Sequence, residues 1–218
     1  MRALLFGSIS SVADTSEIQR EAFNGAFAEH GLDWRWDRDD YRSRLDKAGG
    51  QERIAEEARR RGEDVDAAAV HATKSRRFQE ELRRRGVAPR DGVLDTLRTA
   101  KSNGWKIGFV TTTSIDNVTA VLDALPVDPG DFDVIVTSDQ VDEPKPDPAA
   151  YRFALDALGV DAGDAVAVED NPDGVRAAAA AGVTVLAFPN ENTAGSDFPD
   201  AARRVDHLAS DEVPELAA

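Results

Sequence analysis

Residues 165–187 read AVAVEDNPDGVRAAAAAGVTVLA. The run Ala165–Val168 and the run Val183–Ala187 are short, continuous and apolar, and turn residues bound each of them, which is the pattern of a strand buried on both faces. Between them an alanine-rich stretch over 171–181 has the composition of a helix. A strand, a helix and a second strand this close together predict parallel strands joined by a helical crossover.

The same alternation extends toward the N-terminus. It predicts a helix over 147–158, a strand at 134–136, a helix that opens near Ser114 as its N-cap, a strand over 106–111 and a helix over 91–103. Ala3–Phe6 is another apolar run, and it stops at Gly7-Ser8-Ile9-Ser10-Ser11, which reads as a strand leading into a small-residue loop. Residues 14–88 show no strand-like alternation. Ile18, Ala22, Phe23, Ala26 and Phe27, and later Phe78 and Leu82, keep helical spacing. The expected fold is therefore α/β, a doubly wound, Rossmann-like parallel sheet built from 1–13 and 89–218, with 14–88 inserted as a helical cap. The stretch after Pro199 carries no readable signal.

The 218 residues hold 26 Lys and Arg against 41 Asp and Glu, for a formal charge of −15. Such a surface repels nucleic acid and anionic membrane, so neither is expected as a partner. Only five of the basic residues are lysines. Arginine bias with an acid excess suggests a halophilic protein in a salty cytoplasm, or an ordinary acidic protein from an arginine-rich genome. The absence of cysteine excludes disulfides, thiolate nucleophiles and zinc–thiolate sites. His30, His71 and His207 are scattered and make no metal pattern, so packing or solvent-facing roles are expected. No signal-peptide pattern or long apolar run occurs, and a cytoplasmic, monomeric protein is expected.

Ligands of such sheets bind beyond the carboxyl ends of the strands. Thr111, Thr112, Thr113 and Ser114 stand where a strand gives way to a helix, and their hydroxyls and N–H groups suit a phosphate. They equally suit plain capping. Lys145, between Pro144 and Pro146, is held in a stiff loop that fits either a fixed anion or a solvated turn. Glu169 and Asp170 end a strand as hard oxygen donors of the kind magnesium prefers, and acidic helix capping is the alternative.

Together these residues resemble the haloacid dehalogenase superfamily, whose motifs are a strand-end DxD, a strand-end Thr or Ser, a lysine and a pair of acids. Thr111 matches the second, Lys145 the third, and Glu169 with Asp170 the fourth. The stretches Ala22-Phe23-Asn24, Ala26-Phe27-Ala28-Glu29, Gly31-Leu32-Asp33-Trp34, Gly49-Gly50, Arg53-Ile54, Thr111–Ser114 and Asn117-Val118, with Trp36 and Tyr41, are similar to the CbbY branch. That branch contains capped sugar-bisphosphate phosphatases related to β-phosphoglucomutase. The resemblance implies a small phosphorylated metabolite such as a pentose bisphosphate as partner, Arg53 on its distal phosphate, and Tyr41, Lys74 and Gly49-Gly50 near the sugar.

The first motif departs from the family. Where relatives carry a sequence like FDxDGTLADT, residues 6–15 read FGSISSVADT, so Gly7 and Ile9 stand at the positions of the nucleophile and the general acid–base. Glycine has no group with which to attack phosphorus, and isoleucine carries no proton. Magnesium loses a ligand too, leaving Asp170, Glu169 and the Ile9 carbonyl to hold it weakly or not at all. Phosphate monoesters hydrolyse up to about 10²¹-fold slower without an enzyme, so leftover electrostatics cannot replace the missing carboxylate. Two readings follow. One is a relative that binds phosphate or a sugar phosphate through Thr111, Thr112, Lys145, Ser8 and the 7–11 backbone without efficient hydrolysis. The other is a magnesium-dependent phosphatase that uses Ser8, Ser10 or a water held by Asp170.

Overall fold

Ala3–Phe6 forms β1, and each of its four residues is buried, so this strand lies inside the sheet with both faces covered. In the computed structural model, which describes residues 1–45, 49–209 and 213, the chain passes from β1 through a helical turn α1 (Ile9–Val12) into four helices. These are α2 (Ser16–Glu29), α3 (Arg38–Arg42), α4 (Gly50–Arg61) and α5 (Ala67–Arg85). The alternating part then runs α6 (Val93–Ser102), β2 (Lys106–Val110), α7 (Ile115–Ala124), β3 (Val134–Val136), α8 (Ala149–Leu158), β4 (Ala165–Glu169), α9 (Pro172–Ala180), β5 (Thr184–Ala187) and β6 (Arg203–Arg204).

The strands pair in parallel in the order β3-β2-β1-β4-β5-β6. Phe6 lies in register with Phe109 of β2 and Val168 of β4, so Gly7, Val110 and Glu169 leave the sheet side by side. Leu4, Phe6, Ile107, Phe109, Val166 and Val168 point to one face, where Leu97, Val118 and Val121 cover them. Leu5, Ala165 and Ala167 point to the other, against α8 and α9. This is the doubly wound α/β arrangement expected from the alternating runs.

The helices before residue 86 have an apolar cluster of their own, in which Phe23, Phe27, Trp34, Trp36 and Tyr41 stack around Ile54. Ala22, Phe78 and Leu82 turn the other way and join the sheet-side cluster beside Val118 and Val121. The outgoing and returning chains meet at an antiparallel bridge between Ala13 and Pro89, next to a 2.8 Å bond from Arg90 N–H to the Val12 carbonyl.

Two local expectations change. Residues 9–12 are a helical turn rather than a loop, because Ser8 and Ser11 cap each other reciprocally, each side chain bonding the other's backbone N–H. Beyond Pro199 the chain adds β6 to the sheet edge beside β5. Among the described residues no helix is long and apolar enough to cross a membrane.

Candidate active site at the strand ends

Gly7 follows β1 and donates its N–H to the Val168 carbonyl at 2.9 Å, which keeps it in the sheet's register. A β-carbon at this position would lie inside van der Waals contact of the Glu169 carboxylate and the Tyr151 hydroxyl, and one at Gly174 would meet the same carboxylate. Both positions therefore require glycine for close approach. Glu169 fills the space between them and is fully buried.

Its Oε1 accepts from Lys145 Nζ at 2.6 Å and from Tyr151 Oη at 2.8 Å, whereas its Oε2 has no partner among the described residues. The other ammonium protons of Lys145 go to the carbonyl of Val110 at 2.8 Å and to that of Gly7. Burial pushes the Glu169 carboxyl above its usual range, more than neighbouring Lys145 pulls it down. Burial likewise drives the Tyr151 phenol well up, with Glu169 adding to the effect. Lys145 and Glu169, read from sequence as phosphate and metal ligands, thus face each other beneath the cavity floor. The reason is stoichiometric: three ammonium donors meet three acceptors.

Above this floor lies a cavity of about 530 Å³. Ser8, Ile9, Tyr41, Arg53, Lys74, Thr111, Thr112 and Asp170, all singled out in the sequence, line it. Ser8 Oγ donates to Asp170 Oδ1 at 2.6 Å while accepting the Ser11 N–H at 3.0 Å. Asp170 also accepts from Asn171 Nδ2 at 2.9 Å and from Asn190 Nδ2 at 2.9 Å, and its carbonyl accepts from Thr193 Oγ1 at 2.6 Å. Ser114 occupies the N-cap position of α7, yet its side chain makes no capping bond. Thr111 Oγ1 instead accepts the Thr113 N–H at 3.3 Å. Asp173 lies outside the lining and pairs with Arg176.

Arg53, Lys74, His71 and Asp170 are ionisable side chains in the lining, and among the described residues Asp170 is the one carboxylate there. Burial, with the charge of Arg53 adding, lowers Lys74 to about 7. Burial first, then Lys74 and Arg53, lower His71 to about 4, which leaves the ring neutral at physiological pH. Arg53 donates to the Arg44 carbonyl at 2.8 Å.

His71, Gln19, Asn117 and Asn190 also line the cavity, and sequence reasoning did not place them there. Asn190 follows β5 and was reachable by the strand-end rule. The others sit on helices whose rotation the apolar pattern fixes too coarsely. Hydrogen bonds that join the helical block to the sheet layer around the cavity include Gln79 Nε2 to Asn117 Oδ1 at 3.0 Å and Arg42 Nε to Asn192 Oδ1 at 3.0 Å.

Comparison with known proteins agrees with this architecture. The haloacid dehalogenase-like hydrolase family matches residues 10–188. Protein CbbY of Rhodobacter capsulatus is 38% identical over 99% of this chain and 99% of its own length. The crystal structure of CbbY from Rhodobacter sphaeroides in complex with phosphate superposes with a TM-score of 0.89 at 39% identity, covering 95% of this chain and 94% of that one. A mutant of the same protein has been solved with xylulose-(1,5)bisphosphate, with the same TM-score, identity and coverage. A β-phosphoglucomutase from Clostridium difficile, 20% identical and covering 100% of this chain and 97% of that one, shares the fold with a TM-score of 0.81. On full-length identity, family match and superposition together, the chain belongs to the haloacid dehalogenase-like hydrolases as a CbbY-like member of the sugar-phosphate phosphatase family.

Proposed function

We propose that this protein binds a small phosphorylated sugar, of the pentose bisphosphate class, and does not hydrolyse it efficiently. Residues 14–88 act in this reading as a cap over a core made of 1–13 and 89–218. The observation that carries it is the filled space at Gly7: where a strand-end carboxylate would attack, the buried side chains of Glu169 and Tyr151 already stand. One phosphate would sit against the hydroxyls of Ser8, Thr111 and Thr112 and the N-terminal end of α7, where helix N–H groups favour an anion. Arg53 would meet the distal one, with Tyr41 and Lys74 beside the sugar.

Haloacid dehalogenase phosphatases typically use magnesium, and in this chain the donor set fits it poorly. Asp170 spends its side-chain oxygens on three hydrogen-bond donors, and the Glu169 carboxylate is engaged below the floor. Among the described residues no three carboxylates or imidazoles converge as a metal-binding group. Binding is therefore expected to be independent of metal. Calorimetry with xylulose 1,5-bisphosphate should give the same heat in magnesium and in chelator, with no phosphate released over hours. Absence of heat at millimolar ligand would end the proposal.

A second reading has one specific observation behind it, the 2.6 Å bond from Ser8 Oγ to Asp170. A hydroxyl against a carboxylate has the geometry of a nucleophile and its base. Phosphate release that is lost in both Ser8→Ala and Asp170→Ala would replace the first reading with this one.

A further inference from the structure

Lys74 sits on α5 with 5% of its surface exposed, at the cavity wall. Its amino group donates to Gln19 Oε1 at 3.0 Å and otherwise faces the rings of Phe23 and Phe78, whose centroids lie 4.8 and 5.1 Å away. Among the described residues it makes no ion pair with a carboxylate. The charged and titratable neighbours that bear on it are Arg53 from α4 and His71 one helical turn back on α5. Neither favours a second positive charge.

We propose that Lys74 captures a carbonyl carbon: its ε-amine condenses with the ketone or aldehyde of an open-chain phosphorylated sugar in the cavity to form a Schiff base. This rests on the phosphate-binding reading above. A 2-ketopentose with phosphate on its first and fifth oxygens cannot close a furanose ring, since the fifth oxygen is esterified, so it presents a free ketone. The nitrogen lone pair adds to that carbon, forming the C–N bond as the C=O π bond breaks and a proton passes from nitrogen to the carbonyl oxygen, and the second nitrogen proton later leaves with the departing hydroxyl as water. The carbinolamine then loses water as the C–O bond breaks, and nothing is oxidised or reduced. An apolar lysine site without a counter-ion is the environment in which an amine is held uncharged and nucleophilic. At neutral pH about half of Lys74 would be free amine, against fewer than about one in 10³ for an ordinary lysine.

The test treats the full chain with dihydroxyacetone phosphate, a ketone bearing one phosphate, then reduces with borohydride and maps the adducts by mass spectrometry. Lys74 should carry about tenfold more adduct than any of Lys47, Lys101, Lys106 and Lys145, with labelling half-maximal near pH 7 rather than above 10. Lys74→Arg, which keeps the charge, should lose the adduct, while the parent protein should give calorimetric heat with glycerol 3-phosphate. Uniform labelling, or none at Lys74, overturns the proposal. Glycerol 3-phosphate has no carbonyl, so heat with it and no adduct sinks the Schiff base alone, whereas neither heat nor adduct sinks the phosphate site as well.

Discussion

Gly7 is where one residue type governs both stability and chemistry. Because its neighbours Glu169 and Tyr151 are fully buried, even a methyl group must displace them, and Gly7→Ala should cost about 1–3 kcal/mol in urea unfolding through overpacking. Gly7→Asp with Ile9→Asp would set a second carboxylate against Glu169. That variant should be less stable than Gly7→Ala and gain no phosphatase activity, which parallel unfolding and phosphate-release assays would show. Lys74 gives a pH signature. Its pKa is about 7 in the folded protein and 10.5 as a free side chain, so the unfolded chain binds more protons between these values and stability should rise over that window. Below pH 7 both states are protonated and the full penalty stands. Lys74→Met should therefore be more stable than the parent by a few kcal/mol at pH 6, with the difference gone near pH 11. At this scale Ser8, Thr111 and Thr112, singled out in the sequence for phosphate, Arg53 for substrate and Asp170 for metal all stand in the lining of one cavity. The pairing of Lys145 with Glu169 was not legible, because it depends on Gly7 and Tyr151, which are distant in the chain.

Helix α4 shows how arginine is used across elements. Its Glu57, 3% exposed, accepts from Arg60 at 2.6 and 3.1 Å, from Arg61 at 2.6 Å and from Arg44 at 3.1 Å, which ties the segment after α3 to the end of α4. Burial alone would raise its pKa, but the arginines outweigh burial and bring it to about 2. This support is complete above pH 4.5 and is lost as the pH falls toward 2. Glu57→Ala should cost about 3 kcal/mol, as expected when one member of a buried charge cluster is removed, and thermal unfolding above pH 5 would measure it. The pairs from Arg76 and Arg77 to Glu29 and from Arg85 to Glu21 are surface pairs and contribute little singly. Elements were legible where the apolar runs were long enough. The turn α1 spans four residues and β6 two, too few for any periodicity, and only the Ser8–Ser11 capping pair could have announced the first.

Over the whole molecule the formal charge of −15 works against compactness. Raising salt from about 0.1 M to about 1 M shortens the screening length from about 10 to about 3 Å. The melting temperature should climb over that range in potassium chloride, and a flat or falling curve would argue against the salty-cytoplasm reading. The parallel layer was readable because its strands are continuous apolar runs joined by helices. The placement of β1 at its centre, between β2 and β4, was not, since the run itself does not state which strands flank it.

The bridge at Ala13 and Pro89 pins both ends of a long excursion at one neck. Above that neck the excursion is still rooted in the sheet layer, because Ala22, Phe78 and Leu82 carry its packing into the cluster that covers β1, β2 and β4.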